Sequence, residues 1–280
     1  MKFASFRLDG KDTFGFLDGN VVVDLGNSGL GNDLREFIEN GGLDKEPRPA
    51  AGAARVPLAN VDFLPVITHP QKILCVGINY RSHVKETGRD VPTFPMIFTR
   101  FADSQTGHNQ AIVRPHASSR LDFEGELAVV IGKKARHVQA ADALDVVAGY
   151  SCYNDGSVRD WQRHSIQFIP GKNFPSTGGF GPWLVTRDEV GDPSELSLVT
   201  RLNGHVVQEA KTDDLIFPIP QLIEYCTTFT ALNPGDVIIT GTTGGVGAFR
   251  EPPLWMRPGD VVEVEISRIG TLVNRIEQES

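Results

Sequence analysis

Through the first 25 residues, apolar positions alternate with polar ones and are interrupted by Asp-Gly pairs. Phe3-Ala4-Ser5-Phe6-Arg7-Leu8 runs into Asp9-Gly10, Thr13-Phe14-Gly15-Phe16-Leu17 runs into Asp18-Gly19, and Val21-Val22-Val23 follows. Asp and Gly both tolerate positive φ, so such pairs between alternating segments predict hairpins. Leu34 to Glu39 has room for a helical turn or two before Asn40-Gly41-Gly42 stops it. Glu46 to Arg55 is poor in large apolar residues and has the composition of a linker. The expected division is a small β-rich N-terminal domain over residues 1–65 and a main domain over 66–280.

From Lys72 onward the apolar positions gather into β-branched runs: Leu127 to Ile131, Val146 to Tyr150, Val237 to Thr240 and Val261 to Ile266. Two of them follow the same phrase, Asn233-Pro234-Gly235-Asp236 and Arg257-Pro258-Gly259-Asp260, in which Pro-Gly fits the centre of a type II turn. Helices are expected only around residues 79–87, 157–167 and 218–229. The pattern lacks the strand–helix alternation of a doubly wound sheet, which leaves an α+β, β-rich fold.

Composition narrows the partners. The chain has 280 residues and a formal net charge of −8, with a pI near 5.4, a balance that argues against nucleic acid. Cys75, Cys152 and Cys226 sit among apolar neighbours with no CxxC spacing, so buried free thiols in a reducing compartment are expected, not a disulfide framework or a thiolate zinc site. The N-terminus lacks the apolar stretch of a signal peptide and no run is long enough to span a bilayer, so a soluble, cytoplasmic protein is expected.

Candidate chemistry starts at Asp122-Phe123-Glu124-Gly125-Glu126-Leu127. On a strand Glu124 and Glu126 share a face and could grip one ion, although the same pattern also marks a wet strand face. The continuation to Ile131 is apolar on both faces, which puts the glutamates at the mouth of a core strand, where like charges need a cation. A third oxygen ligand is available at Asp155, where the run from Val146 ends, or Asp155 is a plain helix cap. Arg159 and Gln162 follow at spacings of four and three. An all-oxygen set favours magnesium or manganese, with calcium the weaker fit. Asn79 to Gly88 reads as a short helix capped by Asn79, with His83 and Glu86 on one face as a candidate base and its orienting carboxylate, or as an ordinary surface pair. Lys172 is the lone cation of the loop Gly171 to Gly179 and could stabilise a developing oxyanion or enolate. The glycine-rich Thr240 to Gly247 could bring backbone amides close to an anion, but it is neither a Walker loop nor a dinucleotide fingerprint.

In this order the segments resemble the fumarylacetoacetate hydrolase family. The resemblance rests on Gly77-Ile78-Asn79-Tyr80 with His83 and Glu86, Phe123 to Leu127, Gly149-Tyr150 through Asn154-Asp155 to Arg159-Asp160, Gly171-Lys172, Leu202-Asn203-Gly204, and Pro234 to Ile238 leading to Thr240-Gly241-Thr242. It implies a mixed β-sandwich or roll with few helices, a homodimer, and Mg2+ or Mn2+ on Glu124, Glu126 and Asp155. It further implies a catalytic set of His83, Glu86 and Lys172, with Arg159, Gln162, Thr242 and Arg100 on a small 2-oxo acid. The chain departs from the family pattern at Thr243-Gly244-Gly245, where Pro-Ala-Gly is frequent, and at Asn173, where serine is usual. It departs again at Arg100 to Asn109, which replaces a Lys-Pro stretch and is expected to face the pocket.

The activity expected on that basis is metal-dependent hydrolysis of a C–C bond in an acylpyruvate-like or 3-deoxy-2,4-dioxo acid. Decarboxylation and isomerisation of 2-oxo acids are the alternatives inside the family. A non-catalytic protein binding a small acid or an ion is the alternative outside it, and the His83, Glu86 and Lys172 cluster speaks against that one.

Overall fold

The computed structural model describes residues 1–280. The long apolar runs are strands of one 12-stranded sheet. Along its main path the strands succeed one another as Arg55–Pro57, Val21–Asp24, Lys11–Asp18, Lys2–Leu8, Gly178–Thr186, Val147–Asp155, Gly125–Ile131, Val237–Thr242, Ile73–Gly77 and Met96–Thr99. A second, five-stranded sheet runs His205–Lys211, Ser197–Leu202, Val261–Ile266, Gly270–Gln278 and Ile112–Arg114. This is the α+β, β-rich architecture expected, with short helices.

The central strand Gly125–Ile131 is buried on both faces, as its unbroken apolar run required. Leu127, Val129 and Ile131 pack with Leu198, Val264 and Leu272 of the second sheet and with Leu222 and Ile223 of the helix Ile219–Phe229. Ala128 and Val130 point the other way, into a core shared with Phe3, Phe14, Phe37, Ile73 and Val237. The N-terminal strands therefore lie in the same sheet as the rest, through the antiparallel pairing of Lys2–Leu8 with Gly178–Thr186.

The turn chemistry reads through. Asp9 and Gly10 both take positive φ, 50° and 76°, which is the geometry a tight hairpin between Lys2–Leu8 and Lys11–Asp18 needs. Gly235 and Gly259 sit at φ 80° and 96°, as a type II turn demands of its third residue.

Two expectations about helices are corrected. The helix near 79–87 runs Arg81–Thr87 and is not capped by Asn79. That side chain instead donates to the Thr240 and Phe217 carbonyls and accepts from the Phe217 N–H, tying three segments together. Gly88 does end the helix in the left-handed region, at φ 65°. The expected helix 157–167 shrinks to Arg159–Gln162. Ser157–Val158 is drawn into a bridge with Leu121–Asp122, and Phe168, at φ 66°, starts a separate turn over Ile169–Lys172.

Candidate metal centre and active site

Three strand ends meet at one end of the central strands. Glu124 and Glu126 flank the start of Gly125–Ile131, and Gly125 lies opposite Asn154, which sets Asp155 beside Glu124. The Asp155 N–H donates to the Glu124 carbonyl at 2.8 Å. Carboxylate oxygens of Glu124, Glu126 and Asp155, all three side chains buried, lie within 4.8 Å of one another. The wet-face and helix-cap readings are thereby set aside: these side chains converge instead of facing solvent.

The surrounding charges explain how such a cluster survives burial. Lys172 Nζ donates to Glu124 Oε2 and Asp155 Oδ2, each at 2.6 Å. Arg159 pairs with Asp122 at 2.8 Å and with Glu124 at 2.6 Å. Burial would raise the Glu124 carboxyl, but Arg159 and Lys172 outweigh it and hold that group below its ordinary range. Glu126 is different. Burial, then the charges of Asp155 and Glu124, push it well above the usual carboxylate value, and its best-formed bond is the Gly241 N–H at 2.5 Å.

Four buried carboxylates, Asp122, Glu124, Glu126 and Asp155, thus face three buried cations, Arg100, Arg159 and Lys172. A divalent ion suits this set: hard oxygen donors, no thiolate or imidazole among them, and one carboxyl driven toward protonation for want of positive charge.

A cleft of about 700 Å³, counted with its open mouth, opens over the cluster. Of the residues singled out from sequence, Glu124, Glu126, His83, Lys172, Arg159, Gln162 and Thr242 all line it. Val76, Ile78, Phe98, Phe168 and Phe249 supply apolar walls. His83 Nδ1 lies 3.0 Å from Glu86 Oε2. With Glu86 as a carboxylate, Nδ1 carries the proton and Nε2 is left as an acceptor. The ring packs edge-on against Phe249. Gln162 accepts from Arg159 at 3.0 Å, leaving its amide N–H groups for the cleft.

Three placements differ from expectation. Arg100 does not line the cleft. Its side chain is fully enclosed behind Asp155, donating to Asp155 Oδ1 at 2.5 Å, to the Gly156 carbonyl at 3.1 Å and to Thr177 Oγ1 at 2.7 Å. A guanidinium with that many fixed acceptors is a support for a ligand, not a substrate contact. Arg159, anticipated beside Asp155, reaches Glu124 and Asp122 instead. Thr242 touches the cleft, but its hydroxyl donates to the Gly125 carbonyl and accepts from Gln208.

Asp122 heads the carboxylate motif in the sequence, which assigns it no role. It is buried and accepts from the Gly247 and Ala248 N–H groups as well as from Arg159. The glycine-rich segment does approach anions through its amides, but they are the protein's own: Gly241 N–H on Glu126, Gly245 N–H on Glu86, and Gly247 and Ala248 on Asp122. One loop holds a metal-site carboxylate, the partner of the candidate base and the partner of Arg159.

A buried all-oxygen candidate cation site at the strand ends of a β-rich sheet, facing a cleft with a carboxylate-oriented histidine, is the arrangement of a metal-dependent enzyme. The family model for the fumarylacetoacetate (FAA) hydrolase C-terminal region matches residues 72–277, and the chain belongs to that family. Human mitochondrial oxaloacetate tautomerase FAHD2A is 41% identical over 266 residues, covering 92% of this chain and 85% of the relative. A Dictyostelium discoideum fumarylacetoacetate hydrolase domain-containing protein 2 homolog is 38% identical over 280 residues, 94% of this chain and 92% of its own length. Among solved structures, a fumarylacetoacetate hydrolase from Exiguobacterium antarcticum superposes with a TM-score of 0.88 at 33% identity, covering both chains fully. Maleylpyruvate hydrolase from Sphingobium sp. SYK-6, solved with manganese and pyruvate, gives 0.80 at 28% identity, again over both whole chains.

Proposed function

We propose that this protein moves a proton at C3 of a small 2-oxo acid, interconverting its keto and enol forms with the aid of Mg2+ or Mn2+ on Glu124, Glu126 and Asp155. The observation that carries this reading is the division of labour in the cleft. The buried cations are gathered at the carboxylate end, while the lining offers one oriented proton acceptor, His83. Proton transfer at carbon needs one base and stabilisation of charge at one end. The relatives named oxaloacetate tautomerases, at about two-fifths identity, support it.

Bound at the three carboxylates, the divalent ion would supply Lewis acidity toward the substrate's carboxylate and 2-oxo oxygens. The chain's residues do the rest. Arg159 and Lys172 hold Glu124 below its ordinary carboxyl range, and Lys172 fixes the orientation of Asp155. Gln162, fixed through its carbonyl by Arg159, turns its N–H groups to the substrate. Phe98, Phe168 and Phe249 keep water from the reacting carbon. His83 Nε2 takes the C3 proton, Glu86 offsets the imidazolium charge, and the proton then returns to oxygen or carbon. Lys172, held at the carboxylate end, offsets the charge that develops there as the proton leaves.

Hydrolysis of an acylpyruvate C–C bond is a second reading, favoured by the His83 and Glu86 pair, which can equally activate water, and by likeness to the solved maleylpyruvate hydrolase. Supplying both substrate types in 18O-labelled water with Mn2+ separates the two. Tautomerisation changes the enol absorbance of oxaloacetate and yields no fragment. Label in a newly formed carboxylic acid with no enol turnover would replace the first reading by the second. The reading includes a homodimer, supported by the exposed aromatic group of Phe94 and Phe229 around Tyr225.

A further inference from the structure

The charge of the cleft does not end at the metal-site carboxylates. Arg159, Lys172 and Arg100 are all held in ion pairs with Asp122, Glu124 and Asp155. Two more guanidiniums line the same cleft, Arg89 and Arg163. Both are exposed, and neither has an ion-pair or side-chain hydrogen-bond partner. Each lies at the C-terminal end of a short helix. Gly88, at φ 65°, ends the Arg81–Thr87 helix that carries His83 and is followed directly by Arg89. Arg163 is the C-cap of Arg159–Gln162, its own N–H bonded back to the Asp160 carbonyl. The cations therefore come from the two elements that also carry the base and the substrate-facing amide.

Pairing decides what they suit. Arg100, Arg159 and Lys172 are held by the buried carboxylates, whereas Arg89 and Arg163 stand in the cleft lining with no ion pair inside the chain. Resting on the function proposed above, we infer that Arg89 and Arg163 form a second anion subsite, which selects 2-oxo acids carrying another carboxylate at the end remote from the 2-oxo group. Guanidinium forks match a carboxylate in geometry as well as in charge. Arg163 also borders a neighbouring cleft with Arg120 and Trp255, so a role confined to that cleft is the competing outcome.

The test measures kcat/KM for C3 exchange with oxaloacetate and with the monocarboxylate 2-oxobutanoate, in the Mn2+-loaded wild type, Arg89→Met, Arg163→Met and Arg163→Lys. The dicarboxylate-to-monocarboxylate ratio is expected to fall at least tenfold in each methionine variant, mainly through KM for oxaloacetate, with Arg163→Lys recovering part of it. A ratio within twofold of wild type in both methionine variants overturns the subsite. So does a wild type that exchanges both substrates with equal efficiency. Failure of the wild type to exchange either substrate would instead sink the proposed function, which keeps the two failures apart.

Discussion

At the scale of single residues, the site is governed by how buried charge is matched. Arg100 is the clearest case. It gives Asp155 Oδ1 a fixed partner, while Oδ2 accepts from Lys172. Arg100→Met would leave that side of Asp155 unpaired in the interior, a change that costs about 3–5 kcal/mol in comparable pairs. A lowered melting temperature together with weaker Mn2+ binding by calorimetry is the expected result, and Arg100→Lys recovers less than its charge suggests because one ammonium cannot reach Asp155, Gly156 and Thr177 together.

Glu126 makes the converse prediction. Its folded value is raised above the ordinary one by burial and by Asp155 and Glu124, so the metal-free protein holds a proton there that the unfolded chain would release. Stability from this group is full at acid pH and declines as pH rises toward the raised value. A bound divalent ion requires the carboxylate, so it expels the proton, binds more tightly as pH rises, and stabilises most at the alkaline end. Calorimetry of Mn2+ binding in buffers of different ionisation enthalpy should register proton release, and Glu126→Gln should abolish it.

At the scale of elements, strands hold the carboxylates and one loop holds their partners in register. The strand mouth at Glu124 and Glu126 was legible because five apolar residues follow it without a break, and Asp155 because another apolar run ends there. Arg100 and Asp122 were not legible in those roles. An arginine after an exposed-looking Thr and an aspartate before Phe carry no periodicity that tells inside from outside; the Leu121–Asp122 bridge sets Asp122 beside Arg159, and tertiary packing alone sets Arg100 beside Asp155. The shortened 157–167 helix has a similar cause: its first residues are captured by a bridge to another segment, a tertiary contact no local pattern announces. In Thr243-Gly244-Gly245 it is the last glycine, the one position shared with the family's Pro-Ala-Gly, that has a clear structural use. Gly245 stands at φ 99°, a Cβ there would meet the Val207 carbonyl oxygen at 2.3 Å, and its N–H holds Glu86. Gly245→Ala is therefore expected to lower kcat by roughly tenfold or more while Mn2+ affinity changes little, because the strain acts on the orientation of His83 and not on the three carboxylates. Equal kcat in the two proteins would show that Glu86 needs no anchor.

Over the whole molecule, the fold class was readable from the absence of strand–helix alternation, whereas the continuity of residues 2–24 with the main sheet was not. Hairpins look alike whether they stand apart or extend a larger sheet, and here the Lys2–Leu8 strand pairs with Gly178–Thr186, about 180 residues away in sequence. The homodimer proposed above would cover the exposed rings of Phe94 and Phe229, 70% and 54% accessible, which group around Tyr225. Light scattering on the purified protein should return twice the 30.6 kDa of one chain, and Phe94→Asp with Phe229→Asp should shift it toward one.

The account stands or falls on proton transfer driven by the cation site and His83. NMR of oxaloacetate in D2O, following loss of the C3 proton signal, tests it directly. Exchange should be fast with wild type plus Mn2+, return to the uncatalysed rate after chelation, and fall by at least a hundredfold in His83→Ala that still binds Mn2+. Exchange that proceeds equally in the chelated protein or in His83→Ala would contradict it.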